Sequence, residues 1–273
     1  MPRAIPLTGT ASWWPSTLYQ TTTLELRRAG ERLLVDPGVS PWEIEELVSA
    51  STMPVTQVLV THADWDHVMA LGILSDANVT ASSAAAKRIR SGVARTEVER
   101  EAGQMLVPYR SLERLHVDQT VDPPADVRLG AWRAVCRPAP GHTDDGLITW
   151  LPEEHLLVVG DYLSALEIPS CYHSVQEYRT TLQTLIGLIE RERPQFIVVG
   201  HGRPHTSEAA LKIADEDLEY IEAVLAHAEA GCPPDRAGKI AVPARAAGAG
   251  DDAVHAANVA RACEATAAVA TPG

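Results

Sequence analysis

Apolar and polar positions alternate through residues 18–38, LYQTTTLELRRAGERLLVDPG, and the alternation breaks at RRAGER. That pattern predicts a β-hairpin closing on Asp36-Pro37-Gly38. In SPWEIEELVSAS, Ser40 is placed to cap a helix, Pro41 sits at its first position and Glu43 completes a capping box. Ile44, Leu47 and Val48 then recur at helical spacing. TQVLVTH is a short buried strand, and DHVMALGILSDA returns to apolar residues three and four apart. ASSAAAKRIRSGVARTEVEREAGQM is expected to be helical, a cap over a cleft. WRAVCRPAPGHTDDGLITWLPEEHLLVVGDYL holds two or three strands, with turns at Pro140-Gly141 and Pro152. VQEYRTTLQTLIGLIERER is an amphipathic helix ended by Pro194, and QFIVVGHG is a further buried strand. A long helix follows, from a Ser207 cap to Gly231, ahead of Pro233-Pro234. Residues 235–250 are Ala/Gly-rich and expected to be loose, and a last helix is expected around 252–268.

Strand and helix alternate throughout, which implies sheets covered by helices. No internal repeat is evident. With 273 residues the chain can bury a substantial core, and 45% of its residues are hydrophobic. No apolar run approaches the ~20 residues that cross a bilayer, and the N-terminus lacks the ~7–15-residue apolar block of a secretory signal. Cys136, Cys171, Cys232 and Cys263 are widely spaced and form no CxxC pair, which is expected of reduced, mostly buried thiols in a cytoplasmic protein. A net charge of −13 disfavours nucleic acid as a partner. The one basic run, KRIR at 87–90, is expected to be a solvated helix face.

Three strands end alike. VLV delivers His62, LLVVG delivers Asp161 and FIVVG delivers His201, and ligands in α/β proteins gather at such carboxyl ends. PAPGHTDDG adds His142 on a tight turn. Residues 62, 64 and 66 point the same way if the backbone stays extended, and His67 opens the next helix. One histidine after a strand is usually an ordinary polar residue, and Asp-x-Asp-His alone can be a turn plus a cap. Occurring jointly, in this order, they are enough for two metal ions.

His62-x-Asp64-x-Asp66-His67, Pro140-Gly141-His142, Gly160-Asp161 and Gly200-His201-Gly202 together resemble the metallo-β-lactamase superfamily, over residues ~18–205. The resemblance implies a four-layer αββα sandwich with the site at one edge. It implies a catalytic domain over 1–205, with residues 206–273 as C-terminal helices packed on it. Carried over by position, the first metal takes His62, Asp64 and His142, the second takes Asp66, His67 and His201, and Asp161 bridges them. The family's pattern begins His-x-His-x-Asp-His, so Asp64 stands where its second histidine usually stands. A carboxylate is a harder ligand, which moves preference from zinc, the first expectation, toward iron or manganese. Two divalent ions, three aspartates and a hydroxide still sum to zero charge.

The implied activity is a binuclear metal hydrolase using a metal-bound hydroxide, with a small ester, lactone, thioester or lactam as substrate and no nucleic-acid or membrane partner. Asp66 or Asp161 would orient or receive the proton, and a phenol near the metals, Tyr162 by its place beside Asp161, is expected either to hydrogen-bond a developing oxyanion or to be a rim aromatic that only packs. The alternative is a di-iron oxidoreductase, because the flavodiiron branch of the superfamily also replaces that histidine by a carboxylate. Of the neighbours, Tyr172 and His173 lie in the loop after Tyr162, and Trp65 is expected to pack. His205 is expected on a surface loop, and Asp144 and Asp145 are expected to shape the turn.

Overall fold

The computed structural model describes residues 4–38, 40–104, 115–232, 240–245 and 251–270. Its first sheet runs in chain order: β1 (Ile5–Pro6), β2 (Ala11–Pro15), β3 (Thr22–Arg28), β4 (Glu31–Val35), β5 (Val55–Leu59), β6 (Asn78–Ser82) and β7 (Gln119–Val121). β1 to β4 pair antiparallel, and β4 to β7 pair parallel. The second sheet contains β8 (Ala125–Leu129), β9 (Trp132–Pro138), β10 (Leu147–Leu151), β11 (Leu156–Val158) and β12 (Phe196–Val198), ordered β12-β11-β10-β9-β8. The helices are α1 (Pro41–Ser49), α2 (Trp65–Val68), α3 (Ser83–Arg90), α4 (Val93–Gln104), α5 (Val175–Glu192), α6 (Ser207–Glu229) and α7 (Asp251–Ala270).

The side-chain period of two sorts each strand between two cores. Leu33 and Val35 of β4 face the second sheet, where they meet Leu24, Leu26, Trp132, Leu151 and Val198. Leu34 faces the other way, with Val58, Val60 and Val79, onto Ile44 and Leu47 of α1 and Ile89 of α3. The far face of the second sheet packs Ile148, Leu157 and Ile197 against Leu182 and Leu185 of α5 and Ile221 and Val224 of α6. Four layers result, an αββα sandwich. Trp132 is fully buried between the sheets, and its truncation to alanine should cost about 3–5 kcal/mol.

Most element boundaries follow their capping chemistry. Glu43 accepts from the Ser40 amide at 3.0 Å and from its hydroxyl at 2.8 Å, and α1 starts there. α6 is capped one residue earlier than expected: Thr206 Oγ1 accepts from Ala209 N at 3.3 Å, while the Ser207 hydroxyl donates to the Pro194 carbonyl at 2.6 Å. Residues 66–77 make only the single turn of α2 and a 3-10 turn at Leu71–Ile73. Asp66 through Gly72 are all buried, so no solvent face remains for an amphipathic helix.

One expectation about cysteine is overturned. Cys232 and Cys263 form a disulfide across a Cα separation of 6.1 Å, because α7 folds back along the end of α6. Cys136 and Cys171 are free and buried, as expected. α7 also fastens the loop before α5: Asn258 donates to the Pro169 carbonyl and accepts from Cys171 N, and Arg261 donates to the Cys171 carbonyl. Much of the Ala/Gly-rich stretch 235–250, and Pro233-Pro234, lie outside the described residues. Among the described residues no helix is long and apolar enough to cross a membrane.

Candidate metal centre

The carboxyl ends of β4, β5, β11 and β12 meet at one edge of the sandwich. They carry Asp36, Thr61-His62, Asp161 and His201, and the turn after β9 adds His142. The approach is close enough to dictate glycine. A Cβ at Gly200 would overlap Asp161 Oδ1 and lie 2.9 Å from the His67 ring, and one at Gly38 would overlap the Asp66 carbonyl.

The seven residues expected to hold metal come together. His62, Asp64, His142 and Asp161 form one group and Asp66, His67 and His201 a second, with the candidate ligand atoms of each within 4.8 Å of one another. Asp161 belongs to both by distance. Its Oδ2 lies 3.5 Å from His62 Nε2 and 3.2 Å from both His142 Nε2 and His201 Nε2. Its Oδ1 lies 3.1 Å from His67 Nε2. Asp66 Oδ2 is 3.4 Å from His201 Nε2 and receives the Thr21 hydroxyl at 3.1 Å.

Each imidazole is held from behind through Nδ1. His142 Nδ1 meets the Ser170 carbonyl at 2.7 Å and His201 Nδ1 the Tyr19 carbonyl at 3.0 Å. His67 Nδ1 lies 3.1 Å from Asp36 Oδ2. His62 Nδ1 lies 3.0 Å from the Thr61 hydroxyl, whose own proton goes to Asp36 at 2.7 Å. The partners of His62, His142 and His201 act as acceptors, so those three Nδ1 atoms donate and each of these neutral rings turns its Nε2 lone pair to the centre, while His67 Nδ1 faces the Asp36 carboxylate without a hydrogen bond of its own. This is how proteins orient histidine toward metal. His62 Nε2, His67 Nε2 and Asp161 Oδ1 are buried without a hydrogen bond of their own. Lone pairs facing lone pairs around a buried centre fit a divalent cation.

Without a cation, protons take its place. Burial opposes charge on the rings, but Asp161 outweighs it and pushes His142 and His201 up to about 10. His62 is raised, and His67 stands well above its ordinary value. Burial likewise opposes charge on the carboxylates. His142 and His62 nevertheless hold Asp64 well below the usual range, and His201 and His67 do the same for Asp161.

A cleft of about 540 Å³ opens beside Asp64 and His142, lined also by Trp65, Arg88, Tyr172 and His173. A second space of about 280 Å³ reaches Asp66, Asp161 and His201 past Tyr19, Trp65, Glu167 and Tyr172. α3 and α4 thus cap the cleft, through Arg88, Glu97 and Arg100.

Three neighbours differ from expectation. The Tyr162 hydroxyl faces away from the centre: it donates to the Pro140 carbonyl at 2.8 Å and accepts from His142 N at 3.1 Å. It shapes the turn that presents His142, and the exposed phenol at the cleft is Tyr172. His205 is buried, not on the surface, because its backbone pairs with Ile197 of β12. Arg88 is not a solvated member of a basic face. Its Nη1 lies 2.6 Å from Asp64 Oδ1. Asp36 was legible only as a turn residue, and no spacing signal marked it as a partner of His67 and Thr61. Trp65 packs partly on the core and sets its ring edge-on to Tyr19 at 5.4 Å. Asp145 accepts from Ala63 N at 3.2 Å, tying the His142 turn to the 62–67 run.

The sequence profile of the metallo-beta-lactamase superfamily matches residues 16–201. The beta-lactamase-like protein 2 homolog of Caenorhabditis elegans is 25% identical over 213 residues, which is 76% of this chain and 63% of that relative's length. Among solved structures, the BLEG-1 B3 metallo-beta-lactamase superposes with a TM-score of 0.59 at 18% identity, over 74% of this chain and 96% of its own. A metallo-beta-lactamase from Pontibacter korlensis gives 0.59 at 16% identity, over 79% and 99%. At these identities the two structures speak for the fold.

Proposed function

The chain belongs to the metallo-beta-lactamase superfamily, and from that premise we propose that it is a metal-dependent hydrolase that holds two divalent ions and cleaves a small ester, thioester, lactone or lactam. One observation carries the two-ion reading. Asp161 reaches both groups: Oδ2 lies within 3.5 Å of His62 and His142 of one and 3.2 Å from His201 of the other, and Oδ1 lies 3.1 Å from His67. His62, Asp64 and His142 would hold one ion, and Asp66, His67 and His201 the other. When bound, the ions supply Lewis acidity toward the scissile carbonyl and acidify a water to near neutrality.

The chain's own groups do the rest. Asp66, fixed by the Thr21 hydroxyl, orients the attacking water and accepts its proton. The cleft of about 540 Å³ suits a ligand of small-molecule size. Glu101 and Glu167 at the smaller space, with a net charge of −13 over the chain, disfavour polyanions, which favours a small molecule over nucleic acid. Zinc is the first candidate, with iron or manganese made accessible by Asp64. Residues 1–205 are read as the catalytic unit, and 206–273 as helices packed upon it.

A panel of p-nitrophenyl esters, thioesters, lactones and a chromogenic lactam, assayed separately with zinc, manganese and iron, tests this. Turnover of at least one class, abolished by chelation while the fold survives, is expected. No hydrolysis with any metal, joined to oxygen uptake with iron, would overturn it in favour of a di-iron oxidoreductase.

A further inference from the structure

Asp64 is the carboxylate that stands where the family pattern has a neutral imidazole, and its two oxygens point to different partners. Oδ2 faces the centre, 3.2 Å from His142 Nε2 and 3.6 Å from His62 Nε2. Oδ1 faces outward, 2.6 Å from Arg88 Nη1. Arg88 is held in turn: Nη2 lies 2.6 Å from Glu97 of α4, and Nη1 lies 3.8 Å from Asp145. Its helix is docked on the His142 turn itself. Ser82 Oγ caps α3 by accepting from Ala85 N at 2.9 Å and donates its own proton to the Asp145 carbonyl at 2.7 Å. Only a planar fork can meet Asp64 and Glu97 with separate nitrogens, so a lysine ammonium would not replace it.

We propose that Arg88 makes Asp64 an imidazole-like ligand, by occupying Oδ1 so that one oxygen alone is offered to the ion and by cancelling the charge the carboxylate adds. This rests on the two-ion reading above. An aspartate in place of a histidine adds one negative charge to the ligand set, and Arg88 sets a positive charge, shared with Glu97, at hydrogen-bond distance from it. Occupying Oδ1 also prevents two-oxygen chelation. Chelation would raise the coordination number and favour hard ions that take six or more oxygens, whereas one-oxygen binding keeps the position suited to four-coordinate zinc. Arg88 is a positioning residue, acting through Asp64.

Chelator-competition titrations of the full chain with zinc and with manganese test this, on wild type, Arg88→Met, Arg88→Lys, Asp64→His and the double variant Asp64→His/Arg88→Met. Arg88→Met should weaken one of the two zinc-binding steps by about 10–100-fold, the usual cost of losing a ligand's orienting partner. It should also shift that step toward manganese. Arg88→Lys should recover only part of the loss. The double variant should bind zinc more tightly than either single variant, because Arg88→Met alone leaves the carboxylate without its partner and Asp64→His alone leaves the Arg88 cation near the ion without the carboxylate it faced. Equal affinities in Arg88→Met and wild type would overturn the proposal, as would a double variant no better than Arg88→Met. If Arg88→Met fails to fold by circular dichroism, Arg88→Lys and the double variant decide by the same criteria. Wild-type protein that takes up fewer than two zinc ions overturns the two-ion reading, and this inference with it. Two ions in wild type with no cost in the variants overturns this inference alone.

Discussion

The two halves of the centre use similar ligands but are supported differently. Asp66, His67 and His201 are backed by β3, β4 and the chain leading into them: Thr21 holds Asp66, Asp36 holds His67, and the Tyr19 carbonyl holds His201. His67 is completely buried. His142 and Asp64 line the larger cleft, while His62 of the same half is buried. There, His142 leans on the 168–174 loop through Ser170, and Asp64, 17% exposed, leans on a helix through Arg88. The supports of Asp66, His67 and His201 come from the ends of β3 and β4, while those of His142 and Asp64 come from a loop and a helix bordering the larger cleft and can be altered without redesigning the sandwich. Residues that determine substrate and metal preference are therefore expected on the His142 side.

The strongest way to break this comparison is to remove what the halves share. Asp161→Ala should take metal content from two ions per chain to none, measured by elemental analysis. One retained ion would show that a half stands alone. Asp36→Ala comes next, because Asp36 backs His67 directly and His62 through Thr61. It should weaken metal binding about 10–100-fold and cost about 1–3 kcal/mol of metal-free stability, since buried partners lose their acceptor. Both halves should suffer in a zinc titration.

A smaller effect concerns protons, which both halves hold when metal is removed. His142 and His201 rise from 6.5 to about 10 in the fold, so their stabilising contribution is complete below pH 6.5 and is lost as pH rises through about 10. Asp64 and Asp161 are depressed below 3.8, so theirs is present above that pH and lost on acidification. Metal-free protein should therefore melt at a higher temperature at pH 6 than at pH 9.5. A melting temperature unchanged between those pH values would show that the imidazoles are not charged in the metal-free fold. The mildest change is Ser170→Ala. It removes one hydroxyl 3.0 Å from His142 Nδ1 and keeps the carbonyl, so it should cost only about 0.5–1.5 kcal/mol, confined to the His142 half.

The ligand run was legible in the sequence because strand ends and short spacing are local signals. VLV, LLVVG and FIVVG each announce a buried strand, and the polar residue that follows must lie at its end. The two-sheet sandwich was legible through the family motifs more than through periodicity, since β10 is buried on both faces and does not alternate. What escaped depends on partners distant in sequence. KRIR looks like any solvated basic face until α3 docks on the His142 turn and turns Arg88 to Asp64. Tyr162 adjoins Asp161 in sequence, but its hydroxyl reaches the Pro140 carbonyl of the turn behind the centre, a partner 22 residues away that no local spacing marks. The Cys232–Cys263 pairing required knowing that α7 returns along α6.

The attachment of α7 to the loop behind His142 has a consequence in the time domain. Asn258 and Arg261 hold the backbone of Pro169 and Cys171, on either side of the Ser170 carbonyl that orients His142. Exchange of the Cys171 amide with solvent deuterium then requires Asn258 to let go, which loosens one of the ties on the backbone beside Ser170. The steadiness of the loop that carries Ser170 is in that sense kept by a clock on α7. Asn258→Ala should make it run faster, by a factor readable in the exchange rate of that single amide.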